Sequence, residues 1–164
     1  MSGTTIRAAR EEELPAVGEL TYAAYLADGH LSGREHGPYA AQLKDARPRY
    51  REAELLVAED DTLLGTVTIA HPGSRWREIG GDDELEFRML AVAPAARGRG
   101  VGAALTRHVL AEARRQDYRA VVLSSSKSMH AAHRLYERLG FRRTPNLDWS
   151  PEPSVPLLTY RLDL

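Results

Sequence analysis

A short segment rich in glycine and arginine, Arg-Gly-Arg-Gly-Val-Gly-Ala at residues 97–103, has the composition of an anion-binding loop. It follows an apolar stretch and a turn marked by Pro94, and it leads directly into an amphipathic segment. Backbone N–H groups at the start of a helix have no intrahelical partner and lie at the positive end of the helix dipole. Glycine lets an anion approach such N–H groups closely, and Arg97 and Arg99 add positive charge. The segment therefore predicts a phosphate-binding loop and, with it, a nucleotide-like ligand.

Other interpretations of this loop differ in what they require of the flanking residues. Gly98, Gly100 and Ala103 satisfy the dinucleotide pattern G-x-G-x-x-G/A, so a protein that binds NAD or ATP is one alternative. Against it, residues 93–96 separate the loop from the preceding strand, and the next strand ends in three serines without a carboxylate. A P-loop would need a following Gly-Lys-Ser/Thr, which the sequence lacks. On the loop alone, a glycine-rich turn with solvated arginines also remains open.

The elements that must position this loop follow from the hydrophobic periodicity. We predict strands at 4–8, 54–59, 63–70, 84–92, 119–125, 141–143 and 157–162, and helices at 11–26, 39–51, 101–116 and 129–139. The second helix is expected to be interrupted or kinked around Pro48. The order βααβββαβαββ predicts an α/β fold, a single domain over residues 1–164 with a mixed central sheet flanked by helices. The strands before and after the third of these helices should be parallel.

Composition excludes several classes of function. The formal net charge is −1 and there is no cysteine, which leaves no global attraction to nucleic acid and no thiolate or disulfide chemistry. No apolar run approaches the roughly 20 residues of a membrane span. Residues 7–13 are charged where a signal peptide would be apolar, so we expect a cytoplasmic protein. His108, His130 and His133 lack a convergent carboxylate in the pattern, so we expect no metal.

Two motifs together resemble one enzyme family. Arg97, Gly100 and Gly102 match the pattern Arg/Gln-x-x-Gly-x-Gly/Ala, and Ala132-x-x-Leu135-Tyr136-x-x-x-Gly140-Phe141 follows at a fitting distance. Both resemble the GNAT superfamily of acetyl-CoA-dependent N-acyltransferases, strongly over 84–141 and more weakly over 4–70. The resemblance implies that the cofactor pyrophosphate sits on the loop and that pantetheine lies along residues 89–92, where the parallel strands must splay apart. The cofactor-binding residues implied are Leu90, Ala91, Val92, Arg97, Gly98, Arg99, Gly100, Val101, Gly102, Ala103, Ser128, Ala132 and Tyr136.

The same resemblance implies roles for two side chains. Glu86 corresponds to a strand glutamate that acts as general base in some members, although pairing with Arg88 or binding a substrate ammonium would also explain it. Tyr136 matches the tyrosine that protonates the leaving thiolate, although a packed aromatic residue would fit its helix face equally well. The chain departs from the family where an asparagine usually contacts the pantetheine arm, because Met129 stands there. Ser128 would have to replace that contact.

The expected reaction is direct attack of a primary amine, from a small molecule or a peptide, on the thioester of acetyl-CoA. The least regular segments, residues 27–50, 71–83 and 143–156, are expected to surround the acceptor. An acidic cluster would favour a cationic amine; it consists of Asp82, Asp83, Glu84 and Glu86. Several basic residues would instead favour an acceptor with a carboxylate; they are Arg34, His36, Arg47 and Arg49. A non-catalytic acyl-CoA-binding module is the alternative function. Exposed edge strands near the C-terminus would allow a homodimer.

Overall fold

A computed structural model describes residues 3–164 and contains seven strands and five α-helices within that range. In chain order they are β1 (Thr5–Ala8), α1 (Leu14–Ala27), α2 (Pro38–Lys44), α3 (Arg47–Glu52), β2 (Glu54–Glu59), β3 (Leu63–Ala70), β4 (Glu84–Val92), α4 (Val101–Arg115), β5 (Ala120–Ser126), α5 (His130–Arg138), β6 (Arg142–Arg143) and β7 (Leu157–Asp163). Short 3₁₀ turns lie at Glu11–Glu13, Pro94–Ala96 and Pro145–Leu147. Within the described range, no helix is both long and apolar enough to cross a membrane.

All seven strands belong to one sheet with the order β1-β2-β3-β4-β5-β7-β6. Only the β4–β5 pair is parallel, and every other neighbouring pair is antiparallel. This is the mixed, helix-flanked α/β architecture that the sequence predicted, and the parallel pair is the predicted one. β1 and β6 form the two edges of the sheet.

Helix α4 packs its apolar row onto this sheet. Val101, Leu105, Val109 and Ala113 recur every four residues, and each is at most 2% exposed. They join one hydrophobic cluster with buried residues of β3, β4 and β5. The regular spacing predicted both the helix and its buried face, since side chains four apart lie on one side of a helix. The N-terminus of α4 is thereby fixed beside the end of β4.

The two parallel strands separate after a short paired segment. β4 and β5 pair only over Glu84–Glu86 and Ala120–Val122. On its other side β4 continues to pair with β3 as far as Val92, but the register shifts between Thr66 and Thr68. Met89 takes a left-handed φ of 52° at this bulge, and a bulge bends the strand that carries it. The predicted splay is therefore present, and the β5-facing side of β4 beyond Glu86 has no strand partner within residues 3–164.

The predicted helix 39–51 is interrupted, as expected, and consists of two separate helices, α2 and α3. The break lies at Asp45, whose ψ of 93° is extended, and so precedes Pro48. Pro48 lies in the first turn of α3, where the missing N–H costs no hydrogen bond. The element order accordingly has three helices, rather than two, between β1 and β2.

The side chain of Arg49 bridges this break and should be important for stability. It is fully buried, and its guanidinium donates to the carbonyl oxygens of Gln42, Leu43 and Asp45. We expect Arg49→Met to lower the free energy of unfolding by about 3 kcal/mol, because three carbonyls lose their donor. Urea unfolding measures this change. The matched control is Arg47→Met, which breaks an exposed ion pair with Glu11 and should cost less than about 1 kcal/mol.

An unchanged or higher stability of Arg49→Met would contradict this expectation. It would mean that desolvation of the buried guanidinium, which lowers the pKa of Arg49, outweighs its hydrogen bonds.

A second stability prediction concerns pH. Arg7 on β1 donates to the carboxylates of Glu13 and Glu59, and it holds the pKa of Glu13 at about 2, below the ordinary 4.5. The stabilisation is therefore complete above pH 4.5 and is lost as the pH falls towards 2. We expect the urea midpoint to fall across this range. The fall should be shallower in Glu13→Gln than in the exposed-site control Glu12→Gln. Equally steep falls in the two variants would contradict the role of the Arg7–Glu13 pair.

Candidate functional site

The glycine loop has the backbone shape of an anion-binding site. Gly98 and Gly100 have φ values of 78° and 75°, in the left-handed region that glycine adopts readily. A Cβ atom on either residue would meet nothing within 4 Å, so the space above the loop is open. Gly100 is also the residue that precedes the first turn of α4. The loop thus brings open backbone to the positive end of a helix, which fits a phosphate group.

Both arginines of the loop have acidic partners. Arg97 donates from Nε to the Val92 carbonyl oxygen at 3.1 Å and from Nη1 to Asp28 at 3.0 Å. Arg99 donates to Asp60 at 2.6 Å, and this pairing lowers the pKa of Asp60 to about 2. Exposed ion pairs of this kind contribute little to stability. The two arginines connect the loop to neighbouring residues, and the acids offset part of the positive charge that the arginines present to an anion.

A cavity of about 370 Å³ extends from this loop between the end of β4, the start of α5 and the end of α1. Seven of the predicted cofactor residues line it: Leu90, Ala91, Val92, Arg97, Gly102, Ser128 and Ala132. The structure places five others in the adjoining loop and first turn of α4, outside this lining: Gly98, Arg99, Gly100, Val101 and Ala103. We call this space the first cavity. It runs along the part of β4 that has separated from β5.

The first turn of α5 forms one wall of the first cavity. Ser128 and Met129 both line it, so serine stands beside the methionine that departs from the family pattern. The Ser128 hydroxyl lies 3.1 Å from Nδ1 of His30, which connects α5 to the end of α1 across the cavity. Among residues 3–164, no group of three or more His, Asp or Glu side chains is placed to hold a metal ion.

A second cavity of about 380 Å³ adjoins the first, and the two share Tyr25, His30 and Met129. The three irregular segments expected to surround an acceptor, 27–50, 71–83 and 143–156, all contribute to its lining. Its polar side chains are Arg34, Tyr39, Gln42, Glu78, Arg88, Ser124, Ser125, Ser126 and Glu152, together with the shared Tyr25 and His30. Of the basic residues singled out in the sequence, Arg34 is the one found in this lining. The sequence did not identify Glu78 and Arg88 as lining residues of this cavity. The only signal for Glu78 was its location in an irregular segment.

Tyr136 lies in an aromatic cluster. Its side chain is 4% exposed, and its ring centroid lies 6.0 Å from Phe87, 5.7 Å from Phe141 and 5.8 Å from Tyr160. Burial raises the pKa of the Tyr136 phenol well above its usual range. The structure thus places Tyr136 outside the lining of either cavity, although Ala132 and Leu135 of the same helix line the first.

The helix that carries Tyr136 ends in a closed cap. Gly140 has a φ of 102°, as its predicted role at the helix end requires. Its N–H donates to the Glu137 carbonyl, and the N–H of Phe141 donates to the Tyr136 carbonyl at 2.9 Å. These two bonds form the Schellman arrangement. They close the C-terminal end of the helix that carries Tyr136.

Glu86 is fully buried on β4, and its carboxylate faces a loop instead of a cavity. It accepts hydrogen bonds from the backbone N–H groups of Glu78, Ile79 and Gly80 at 2.9–3.1 Å. Glu86 is absent from the lining of both cavities. Two other members of the predicted acidic cluster are also engaged elsewhere, since Asp83 pairs with Arg119 and Glu84 with Arg161.

Comparison with known proteins agrees with this geometry. The sequence profile described as "Acetyltransferase (GNAT) family" matches residues 15–141, which include β4, the glycine loop, α4 and α5. The chain belongs to the GNAT family. The resemblance of the two sequence motifs to this family is therefore confirmed.

Curated relatives of this GNAT chain include two named enzymes. Mycothiol acetyltransferase of Cellulomonas flavigena is 35% identical over 130 residues, which cover 73% of this chain and 37% of that protein. N-acetylaspartate synthetase of Danio rerio is 45% identical over 62 residues, which cover 38% of this chain and 22% of that protein. The chain thus spans well under half the length of these relatives.

Solved GNAT structures share the whole fold. An N-acetyltransferase from Staphylococcus aureus Mu50 superposes with a TM-score of 0.70 at 21% identity, covering 99% of both chains. The protein yncA of Salmonella typhimurium, solved with its cofactor acetyl-CoA, has a TM-score of 0.69 at 24% identity, covering 98% of this chain and 94% of its own. At these identities the likeness establishes the fold.

Proposed function

We propose that this GNAT protein is an N-acetyltransferase that moves an acetyl group from acetyl-CoA to a primary amine by direct attack within a ternary complex. The observation that carries the proposal is the pair of adjoining cavities that meet at Tyr25, His30 and Met129. One cavity runs from the glycine loop along the unpaired side of β4, and the other is lined by polar side chains. Two substrates bound in adjoining cavities can react without a covalent enzyme intermediate.

The residues present fit acetyl-CoA. The open backbone of Gly98 and Gly100 and the N-terminus of α4 would hold the pyrophosphate, with Arg97 and Arg99 adding charge. The unpaired side of β4 at residues 90–92 would hold the peptide-like pantetheine arm as an added strand. Ser128, Ala132 and Met129 would form the opposite wall. Bound acetyl-CoA supplies an activated acetyl group as a thioester.

Two proton transfers accompany the proposed reaction. An alkyl amine is mostly protonated near neutrality, so a base must remove a proton before or during attack. Tyr136 would donate a proton to the leaving thiolate. Its phenol carries that proton at neutral pH, although burial raises its pKa and so makes it a weaker acid than a free phenol. A backbone N–H near Val92 would stabilise the developing oxyanion, since a fixed dipole needs no reorganisation. Direct proton removal by Glu86 remains a prediction, although three backbone N–H groups occupy its carboxylate.

Calorimetric titration with acetyl-CoA tests the cofactor, with NADH and ATP as controls. Saturable binding of acetyl-CoA alone supports the proposal, and binding of NADH or ATP instead would favour the nucleotide-binding alternative. A panel of primary amines then tests transfer through release of CoA, read with a thiol reagent, because a chain without cysteine gives no background signal. L-Aspartate belongs in the panel because several relatives are named N-acetylaspartate synthetase.

Binding of acetyl-CoA without CoA release for any amine would instead favour a non-catalytic acyl-CoA-binding module.

Homodimer formation through the edge strand β6 also belongs to the proposal, and sedimentation equilibrium tests it.

A further inference from the structure

Glu78 is the more buried of the two glutamates that line the second cavity within the described residues. It lies in the loop of residues 71–83 between β3 and β4, and its side chain is 19% exposed. Its Oε1 lies 3.1 Å from Nε of Arg88. The other glutamate, Glu152, is 62% exposed and lies 3.8 Å from Arg34. A carboxylate screened from solvent attracts a cation more strongly than an exposed one does.

Side chains of β4 hold the loop that carries Glu78 through hydrogen bonds. The carboxylate of Glu86 accepts the N–H of Glu78 itself and those of Ile79 and Gly80. Arg88 donates to the Trp76 carbonyl at 3.3 Å, and its guanidinium lies 5.4 Å from the centroid of the Trp76 ring. The backbone on both sides of Glu78 is therefore hydrogen-bonded to side chains of β4. A carboxylate held in this way needs little reorganisation to meet a substrate.

On the basis of the proposed function, we propose that Glu78 binds the acceptor amine and takes its proton, and that Glu86 acts as a positioning residue that presents Glu78 to the cavity. In the step itself, the amine nitrogen forms a bond to the acetyl carbonyl carbon and the carbon–sulfur bond breaks. The sulfur leaves with its electron pair as a thiolate. An amine that binds as an ammonium first loses one proton to solvent and attacks in its neutral form. The second proton of the nitrogen passes to a carboxylate oxygen of Glu78, the thiolate takes a proton from Tyr136, and the proton on Glu78 then returns to the phenolate through solvent.

The electrostatic surroundings suit this role. Burial raises the pKa of the Glu78 carboxyl, and the nearby negative charge of Glu86 acts in the same direction, whereas Arg88 opposes both. A carboxylate whose pKa lies nearer to neutrality is the better general base at neutral pH. The titratable or charged groups that face Glu78, or share its cavity, are Arg88, Glu86, Tyr25, Tyr39, His30, Arg34 and Glu152. A carboxylate at this position attracts a cationic amine more than an anionic acceptor group.

Turnover with a reactive amine from the panel provides the first test. We expect Glu78→Gln to lower kcat by about 100-fold, to leave the affinity for acetyl-CoA within about twofold, and to remove the acidic limb of the kcat/KM profile against pH. Glu152→Gln is the matched control, because it removes a glutamate from the same cavity, and it should keep that limb. Glu86→Gln should retain the limb while lowering kcat by about tenfold, since an amide oxygen can still accept loop N–H groups.

The proposal is overturned if Glu86→Gln removes the acidic limb while Glu78→Gln keeps it, or if Glu78→Gln retains full turnover. A second measurement does not need turnover. In protein labelled with ¹³C at the glutamate carboxyl groups, the Glu78 resonance is assigned by its loss in Glu78→Gln and followed during titration with n-propylamine and each panel amine. We expect a saturable shift of that resonance, and no shift with any amine would also overturn the proposal.

Failure of the proposed function gives a different result. Wild-type protein that does not bind acetyl-CoA in calorimetry contradicts the acetyltransferase proposal, whereas the response of Glu78 to amines is read separately in the carboxyl spectrum.

Discussion

Gly100→Asp is expected to lower the affinity for acetyl-CoA by about 1,000-fold. The new carboxylate would lie at the N-terminus of α4, beside the backbone that we propose for the pyrophosphate. Two like charges about 4 Å apart repel by about 4 kcal/mol at an effective dielectric constant of 20, which corresponds to roughly 10³ in a binding constant. Calorimetric titration with acetyl-CoA measures the loss.

Matched variants separate charge from backbone strain. Gly100 has a φ of 75°, so any side chain there is strained, although a Cβ would meet no atom within 4 Å. Asparagine has nearly the same shape as aspartate, tolerates the left-handed region and carries no charge. Gly100→Asn should therefore lose about tenfold in affinity. Equal losses in the two variants would mean that shape alone matters, and unchanged affinity in folded Gly100→Asp would contradict the placement of the pyrophosphate.

Local regularity explains which parts of the fold could be predicted. The row Val101, Leu105, Val109 and Ala113 predicted α4 and its buried face, and the nearly continuous apolar centre of residues 120–123 predicted a buried strand, because burial imposes the period of each element. The break between α2 and α3 follows no period. It depends on Arg49, whose contacts with the carbonyls of α2 exist only in the folded chain. The sequence predicted an interruption or kink around Pro48, and the structure has the break at Asp45.

The same contrast between locally encoded features and irregular segments applies to the candidate site. The glycine loop could be predicted because its residue types specify a left-handed backbone and a helix start, and both are present. The environment of Glu86 could not be predicted. Position on β4 fixes which face of the sheet its side chain occupies, but the conformation of residues 71–83, which bring three N–H groups to its carboxylate, follows no repeating pattern. For the same reason, Glu78 could not be recognised from the sequence as a residue that lines a cavity.

Tyr136→Phe is expected to lower kcat by about 1,000-fold and to change the affinity for acetyl-CoA by less than about threefold. General acid catalysis contributes roughly 10² to 10⁴ in rate, and the substitution removes only the hydroxyl. The ring contacts with Phe87, Phe141 and Tyr160 should remain, so the folded structure and the first cavity should be preserved. Steady-state kinetics with a panel amine, together with calorimetric titration, measures the two quantities separately.

Tyr160→Phe is the matched control, because it removes a hydroxyl from the same aromatic cluster, on β7, and lies outside the lining of both cavities. It should leave kcat within about threefold. If Tyr136→Phe and Tyr160→Phe lower kcat and stability to the same small extent, Tyr136 is a packing residue and the leaving thiolate takes its proton from water. If Tyr136→Phe alone loses turnover while it still binds acetyl-CoA, its buried phenol acts in the reaction.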